Sequence, residues 1–474
     1  MRLQQDLHQT ILSDQLGIGL TSDQLRNQNN RPWLALALIL VGVVGPLLLM
    51  TGVAQGLLPG PLHAEQTGLN DANQKNPNAI FKQLPLGWKV NRQSIISGGP
   101  LDAIGKRLGV SIEFLSNNVI SDQNQQSVQV NLMRGSSEQE SKKLEQKLRS
   151  TKQNPRDICR NGDVVCEFVV RTRSEAYLAA EARYRLPVLP AVAKYKVSFD
   201  AAPVTRSESM AWNKLFNLFL QWERGGKDAA IEKQIRAASV DFQFGDQLVL
   251  KNSGNGKVAT QWKLTPEPVA QAAESDDATR YEFKDLPGRA GVPSVHVEAT
   301  VTSQSLAAVE GNPEKRSVYL EATPTWPVRD PQIKQLAKSI TKDATTDSQK
   351  LGALLEWFRD PQHIRVGGQT GSRYGVTQVL SQKFGNCWDY SDLLITLCRA
   401  SGVPARQILG WLHHSEGHVW AEVMLDGRWQ QIDPTTGVGC GSDYIPLISS
   451  LDGKISLVYL STVKIELIES PRKE

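Results

Sequence analysis

Thirty-three consecutive residues, Pro32 to Ala64, contain no Asp, Glu, Lys or Arg. Within them Trp33 to Leu58 reads WLALALILVGVVGPLLLMTGVAQGLL, 26 residues, where about 20 apolar residues suffice to cross a bilayer as a helix. A buried helix of a globular domain is seldom apolar all round, and a mid-span proline such as Pro46 is tolerated in membrane helices. Residues 32–58 are therefore predicted to be a transmembrane helix. Arg26 and Arg31 precede the span, whereas the next basic residue after it is Lys75, so residues 1–31 are expected to form a cytoplasmic tail. Leu62-His63-Ala64 is a poor cleavage site, and a leader of about thirty residues before the apolar run is too long for a typical signal peptide. The expectation is an uncleaved, single-pass membrane protein with its bulk outside the cytoplasm.

The remainder has the composition of folded domains: over the whole chain of 474 residues, 40% are hydrophobic and 22% charged. The formal charge of +4, from 53 basic and 49 acidic residues, is too slight to suggest nucleic acid as a partner. None of the five cysteines has CxxC spacing, so there is no paired-thiol zinc motif.

Residues 59–85, rich in Pro, Gly, Asn and Gln, read as a linker. A small α/β module is predicted over 86–172. Leu101, Ile104 and Leu108 have helical spacing, Val110 to Leu115 and Ser127 to Leu132 alternate as strands, and Ser136 to Leu148 forms a charged helix. Asn161-Gly162 then marks a hairpin turn before Val164 to Thr172. With those two residues as the loop, Cys159 lies opposite Val164 and Cys166 is its diagonal neighbour, about 7–8 Å away. That is long for a disulfide, and whether the two are bridged stays open. Residues 195–326 are predicted to be a β-rich accessory domain, with strands at Tyr195–Phe199, Asp241–Lys251, Val258–Leu264, Tyr281–Leu286, Ser294–Thr302 and Val318–Glu321. Trp212, Leu215, Phe216, Phe219 and Trp222 repeat at helical spacing and read as one core-facing stripe.

From 327 to 474 the pattern changes. Ile333, Leu336 and Ile340 suggest a first helix, and Leu351, Leu354, Leu355 and Phe358 a second behind a Thr346-x-x-Gln349 capping box. A third helix starts near Asn386 or Cys387 and ends at about Arg399, before Gly402. Cys387 is thereby placed at a helix N-terminus, where the macrodipole and free N–H groups favour an anion. Downstream, His418-Val-Trp420-Ala-Glu422 alternates as a strand, and Arg428 to Asp433 forms the next beyond Asp426-Gly427. Adjacent antiparallel strands can set His418 and Asp433 side by side, with the carboxylate orienting one ring nitrogen and the other facing sulfur.

The segments FGNCWDYSDLLITLCRASGVPARQILGW, HVWAEV and RWQQIDPTTG, in that order, resemble the transglutaminase-like superfamily of papain-fold cysteine enzymes. The resemblance covers about the last 145 residues of the sequence. It implies an α+β fold in which the nucleophile helix packs on an antiparallel sheet. It also implies Cys387 as nucleophile, His418 as acid–base and Asp433 as orienting carboxylate. The implied chemistry is acyl transfer or hydrolysis at a carboxamide or peptide bond through a thioester. Substrates would be proteins or peptides, through a glutamine side chain or a peptide bond, with cell-wall peptides a possibility. The oxyanion would be held by the Cys387 N–H and a second donor, with Tyr374, Gln369 and Gln378 as candidates. The alternative is a catalytically silent domain of the same family that binds peptide or cell-wall partners.

Other residues have plainer readings. Cys398 is expected to be buried packing, and about 16 Å of helix rise separates it from Cys387. Cys440 reads as a structural or free thiol. His413, His414 and His418 with Glu416 could suggest a metal, but His418 has a better use and no metal is expected. Gly367 to Gly375 lacks the Gly-Lys-Ser/Thr ending of a phosphate loop. No cofactor is expected, and no acidic loop indicates calcium. Trp388 and Trp420 either wall the cleft or pack in the core.

Overall fold

The computed structural model describes residues 76–468 apart from 85–86, 152–156, 187, 191, 208, 253–259, 276, 305–307, 370 and 414–416. The expected tail, membrane span and most of the linker lie outside the described residues. Among those described, no helix is long and apolar enough to cross a membrane.

The first layer of structure is an antiparallel sheet built from β1 (Lys89–Ile96), β2 (Ile112–Ser121), β3 (Ser127–Gly135), β4 (Ile158–Asn161) and β5 (Val164–Val169), in the order β1-β2-β3-β5-β4. Helices α1 (Gly99–Leu108) and α2 (Glu138–Ser150) cover one face, where Leu101, Leu144 and Leu148 meet Leu115, Met133 and Val165. Helix α3 (Arg173–Arg185) covers the other, where Leu178 and Ala182 meet Val130, Cys166 and Phe168. Alternation along β2, β3 and β5 feeds both cores, since successive side chains point to opposite faces. The hairpin differs from the sequence reading by one residue. Asn161 pairs with Val164, the turn is Gly162-Asp163, and Cys159 lies directly opposite Cys166. Gly162 takes φ +61°, where a side chain is disfavoured.

Helix α3 leads into β6 (Val192–Ser207), which runs far beyond the predicted Tyr195–Phe199. After α4 (Ser209–Arg224) and α5 (Ala229–Ala238), the predicted strand Asp241–Lys251 is broken at Gly245-Asp246 into β7 (Phe242–Phe244) and β8 (Gln247–Lys251). There follow β9 (Gln261–Thr265), β10 (Ala270–Ser275), β11 (Ala278–Glu282), the short pair β12 (Gly288–Arg289) and β13 (Val292–Pro293), β14 (Val295–Gln304) and β15 (Ala308–Glu310). Leu215, Phe219 and Trp222 of the aromatic stripe are buried against Ile235, Val292 and Leu460, with Trp212 packed on them. Val318–Leu320 is a turn of 3-10 helix rather than the expected strand. So short an apolar run carries no period to separate the two, and here Tyr319 turns inward to meet Trp429 edge-on at 4.7 Å.

The C-terminal region supplies α6 (Pro331–Ile340), α7 (Asp347–Arg359), β16 (Arg365–Val366), α8 (Val376–Gln382), β17 (Phe384–Gly385) and α9 (Cys387–Ala400). Strands β18 (Ala405–Leu412), β19 (Gly417–Leu425), β20 (Arg428–Asp433), β21 (Val438–Gly439), β22 (Tyr444–Ser450), β23 (Leu457–Tyr459) and β24 (Lys464–Ile468) complete the chain. The main sheet runs β15-β20-β19-β18-β22, and α9 packs on β18 and β19 through Leu394, Leu397, Ala405, Ala421 and Val423. Two sets of strands cross the sequence boundary at 326/327. β15 pairs with β20, while β23 and β24 return to pair with β6.

Candidate active site

Helix α9 begins at Cys387 because its first turn is capped on both sides. The Asn386 carboxamide accepts the Trp388 N–H (3.0 Å), and Asp389 accepts the Asn386 N–H (3.1 Å). Asp389 also accepts the Tyr374 N–H (2.7 Å), and Asn386 Nδ2 donates to the Ser372 carbonyl (2.6 Å). The glycine-rich loop is thereby stitched to the N-terminus of α9. Burial pushes the Asp389 carboxyl upward against these N–H donors. A Cβ on Gly385 would strike the Asp389 side chain.

On the sheet, the β19–β20 register runs from Leu425 opposite Arg428 to Ala421 opposite Ile432. One step further sets Asp433 across from Trp420, so His418 and Asp433 are diagonal neighbours on one face rather than directly paired. His418 Nε2 lies 2.8 Å from Asp433 Oδ2, which leaves Nδ1 for sulfur. Asp433 is fully buried and its other oxygen accepts the N–H (2.9 Å) and hydroxyl (2.6 Å) of Thr435. Four hydrogen bonds to the two oxygens fix the carboxylate, because Tyr444 from β22 also donates to Oδ2 at 2.6 Å. Tyr444 was not singled out from sequence.

Burial opposes a charge on His418, but the Asp433 carboxylate and then the hydrogen-bonded Cys387 thiol outweigh it and raise the imidazole to about 9. The imidazole is thus held by the carboxylate and influenced by the Cys387 thiol. The rings around them are packed tightly: Trp420 stacks beside His418 (6.1 Å, 22°) and meets Tyr444 edge-on (5.3 Å). Gly410 faces His418 across the β18–β19 ladder, and a Cβ there would overlap the Trp420 ring and the Ile445 carbonyl. Cys387 and Trp388 also pack, partly buried, on a cluster that contains Phe199 and Trp411, so residues from both sides of the 326/327 boundary wall this region.

Two buried ionic groups support the site and were not foreseen. Arg373 forms a bidentate pair with Asp392 (2.6 and 2.7 Å) and lies 5.0 Å from the Trp388 ring centre. Lys251, Asp277, Arg406 and Glu422, each at most 5% exposed, form a four-charge cluster. Arg406 donates to Asp277 (2.9 and 2.6 Å) and to Glu422 (2.7 Å), and Lys251 pairs with both carboxylates. Burial disfavours the Asp277 charge, but Lys251 and Arg406 hold its carboxyl well below the usual range. Gln431 links Glu422 (3.1 Å) to the Trp420 indole (3.0 Å). The cluster thus joins the β10–β11 turn to the strand that carries His418.

Tyr374 lies in the loop beside the α9 N-terminus, its hydroxyl accepting the Gln369 N–H (3.1 Å). The Gln369 carbonyl faces Asn386 Nδ2 (3.3 Å), whereas the Gln378 side chain donates to Gln382 along α8. Cys398 is buried in the α9 core, Cys440 sits with Trp420 and Tyr444, and the His413 ring rests on Tyr195 (5.0 Å). His414 and Glu416 lie outside the described residues. Among the described residues, no group of three or more His, Cys, Asp or Glu side chains is arranged to hold a metal.

Residues 334–434 match the model of the transglutaminase-like superfamily, so this part of the chain is transglutaminase-like. An uncharacterized protein of Mycobacterium leprae is 26% identical over 222 residues, 39% of this chain and 78% of that protein. The kyphoscoliosis peptidase of Homo sapiens is 25% identical over 143 residues, 27% of this chain, and the match spans a fifth of the peptidase. Among solved structures, a candidate cysteine protease from Cytophaga hutchinsonii aligns with a TM-score of 0.37 at 13% identity, covering 59% of this chain and 92% of that one.

Proposed function

We propose that the chain is a membrane-anchored cysteine enzyme that transfers or hydrolyses acyl groups at carboxamide or peptide bonds. The observation that carries this reading is an imidazole held at 2.8 Å by the buried Asp433 and raised also by the Cys387 thiol, which sits at the first turn of α9. His418 takes the thiol proton, and Cys387 sulfur attacks the carbonyl carbon. The resulting oxyanion is held by the Cys387 N–H and a second donor from the loop before α9. Tyr374 suits that role, since its hydroxyl accepts the Gln369 N–H and retains its own proton to give. His418 protonates the departing amine. An incoming amine or water then resolves the thioester, giving conjugation in the first case and deamidation or cleavage in the second. The substrate class is protein or peptide, including cell-wall peptide. The uncharged span 33–58, with Arg26 and Arg31 on its N-terminal side, supports an anchor that keeps this domain outside the cytoplasm.

The test is to incubate the full chain in detergent with a glutamine-containing peptide and a labelled primary amine, then to assign products by mass spectrometry. Conjugated, deamidated or cut peptide, lost in Cys387→Ala, supports the enzyme and names its reaction. Tight peptide binding with no product from either protein would instead indicate the silent binding domain.

A further inference from the structure

The β4–β5 hairpin places Cys159 and Cys166 directly across from each other. Opposed residues of an antiparallel pair point to the same face, with Cα atoms about 4.5–5.5 Å apart, within the separation that disulfides span. Both side chains are 1% exposed and belong to one cluster with Phe168, Leu178 and Ala182. The other three cysteines pack elsewhere: Cys398 within the α9 core, Cys440 beside Trp420 and Tyr444, and Cys387 at the α9 N-terminus. The structure carries all five as thiols.

The hairpin occupies a position where rigidity matters. β4 is the edge strand of its sheet. Cys159 lines a small cavity with Arg149, Arg160, Tyr195, His413 and Asp443, where the module meets the C-terminal domain. Asp443 immediately precedes Tyr444, which holds the Asp433 carboxylate. Arg160 pairs with Glu145 (2.7 Å) and Ser141 donates to the Asp163 carbonyl (2.7 Å), so a covalent link would add to contacts that already fix this hairpin's register.

We propose that Cys159 and Cys166 are joined by a disulfide that closes this hairpin as the chain folds outside the cytoplasm. The bond forms by exchange with a disulfide oxidant, such as oxidised glutathione or a protein disulfide. One thiolate attacks the oxidant's disulfide to give a mixed disulfide, and the second displaces the oxidant's remaining thiolate. Two protein thiols become one bridge, and the oxidant is reduced to two thiols. Because burial pushes the Cys166 thiol far above its ordinary value, exchange precedes closure of the α3 core over the pair. The same burial then seals the finished bridge from reductant.

The proposal does not depend on Cys387 being catalytic. It is tested on full chain taken from membranes, with free thiols trapped by N-ethylmaleimide under denaturing conditions at lysis, followed by proteolysis and mass spectrometry. The expected result is a linked peptide pair holding Cys159 and Cys166, with the reagent on Cys387, Cys398 and Cys440 alone. Dithiothreitol should reduce the link in urea and fail to do so in the native protein, and Cys159→Ala should release Cys166 for labelling. Reagent on all five cysteines, or a bridge from either residue to Cys440, overturns it.

Discussion

Replacing Asp433 by Asn tests the electrostatics of the site most directly. The carboxylate is the main influence raising the imidazole from 6.5 to about 9 against its burial. That difference corresponds to a preference for the imidazolium of about 3 kcal/mol, or roughly 300-fold. His418 is only 12% exposed, so solvent screening removes little of it. Without the carboxylate, burial acts with little opposition, and the imidazole should lose its proton below about 6.5. The readout is the rate at which Cys387 is alkylated by iodoacetate, divided by the rate with neutral iodoacetamide. An adjacent imidazolium attracts the anionic reagent, so the ratio follows the charge on His418. In the native protein it should fall through a midpoint near pH 9. In Asp433→Asn it should already have fallen at pH 7.5. An unchanged midpoint in the variant would falsify the assignment of the charge to the Asp433 pair. Because the folded value is raised, the stability it confers is complete below about pH 6.5 and disappears as pH climbs through about 9. The difference in melting temperature between the two proteins should therefore narrow over that range.

Tyr444→Phe keeps the ring but removes a donor that shares Oδ2 with His418. The midpoint of the same ratio should rise by about 0.5 pH unit as the carboxylate binds the imidazolium more strongly, and a midpoint that stays put or falls refutes this. Thiol reagents should label Cys387 at least about 100-fold faster than Cys398, whose thiol burial pushes up; comparable rates, scored by peptide mapping, contradict it. Arg406→Leu leaves Asp277 and Glu422 buried with Lys251 as the remaining cation of their cluster, and should cost about 3–5 kcal/mol by thermal unfolding. Gly410→Ala forces a methyl group into the Ile445 carbonyl and the Trp420 ring. A loss of more than about 3 kcal/mol is expected, and a native melting temperature would show that β22 can shift aside.

The parts legible in sequence are those set by local spacing. The Thr346 capping box acts within four residues and α7 begins where it predicts, while α9 begins at Cys387, one of the two starts that the sequence allows. His418, Asp433 and the turn between β19 and β20 lie within 16 residues of one another, so alternation suffices to put them on one face, although the diagonal register needed coordinates. β18 escaped notice because it is buried on both faces and shows no alternation. The turn at 318–320 was misread because three apolar residues define no period. Partners brought together across long stretches of chain were beyond reach. Lys251 meets Glu422 across 171 residues, and β6 pairs with β24 some 270 residues later. Alternation states which face a strand buries, never which distant strand lies beside it.

Those long-range pairings bear on how the site is held. His418 stands on β19, flanked by β18 and β20. β20 takes its outer partner, β15, from the chain before residue 327, while β6, paired with β14 on one edge, takes β23 and β24 from after residue 456 on the other. Neither sheet is complete without chain from the other side of that boundary. The buried charges act at the same junction: Asp277 reaches Arg406 on β18, Arg406 reaches Glu422 on β19, and Glu422 is joined through Gln431 to the indole stacked beside His418. A charge this deeply buried is tolerable only while all its partners remain in place. Displacement of the β10–β11 turn would strand Arg406 and Glu422 along with Asp277. The accessory strands therefore act as part of the support of the imidazole, and a substitution at Asp277 should be felt at His418 although the two residues do not touch.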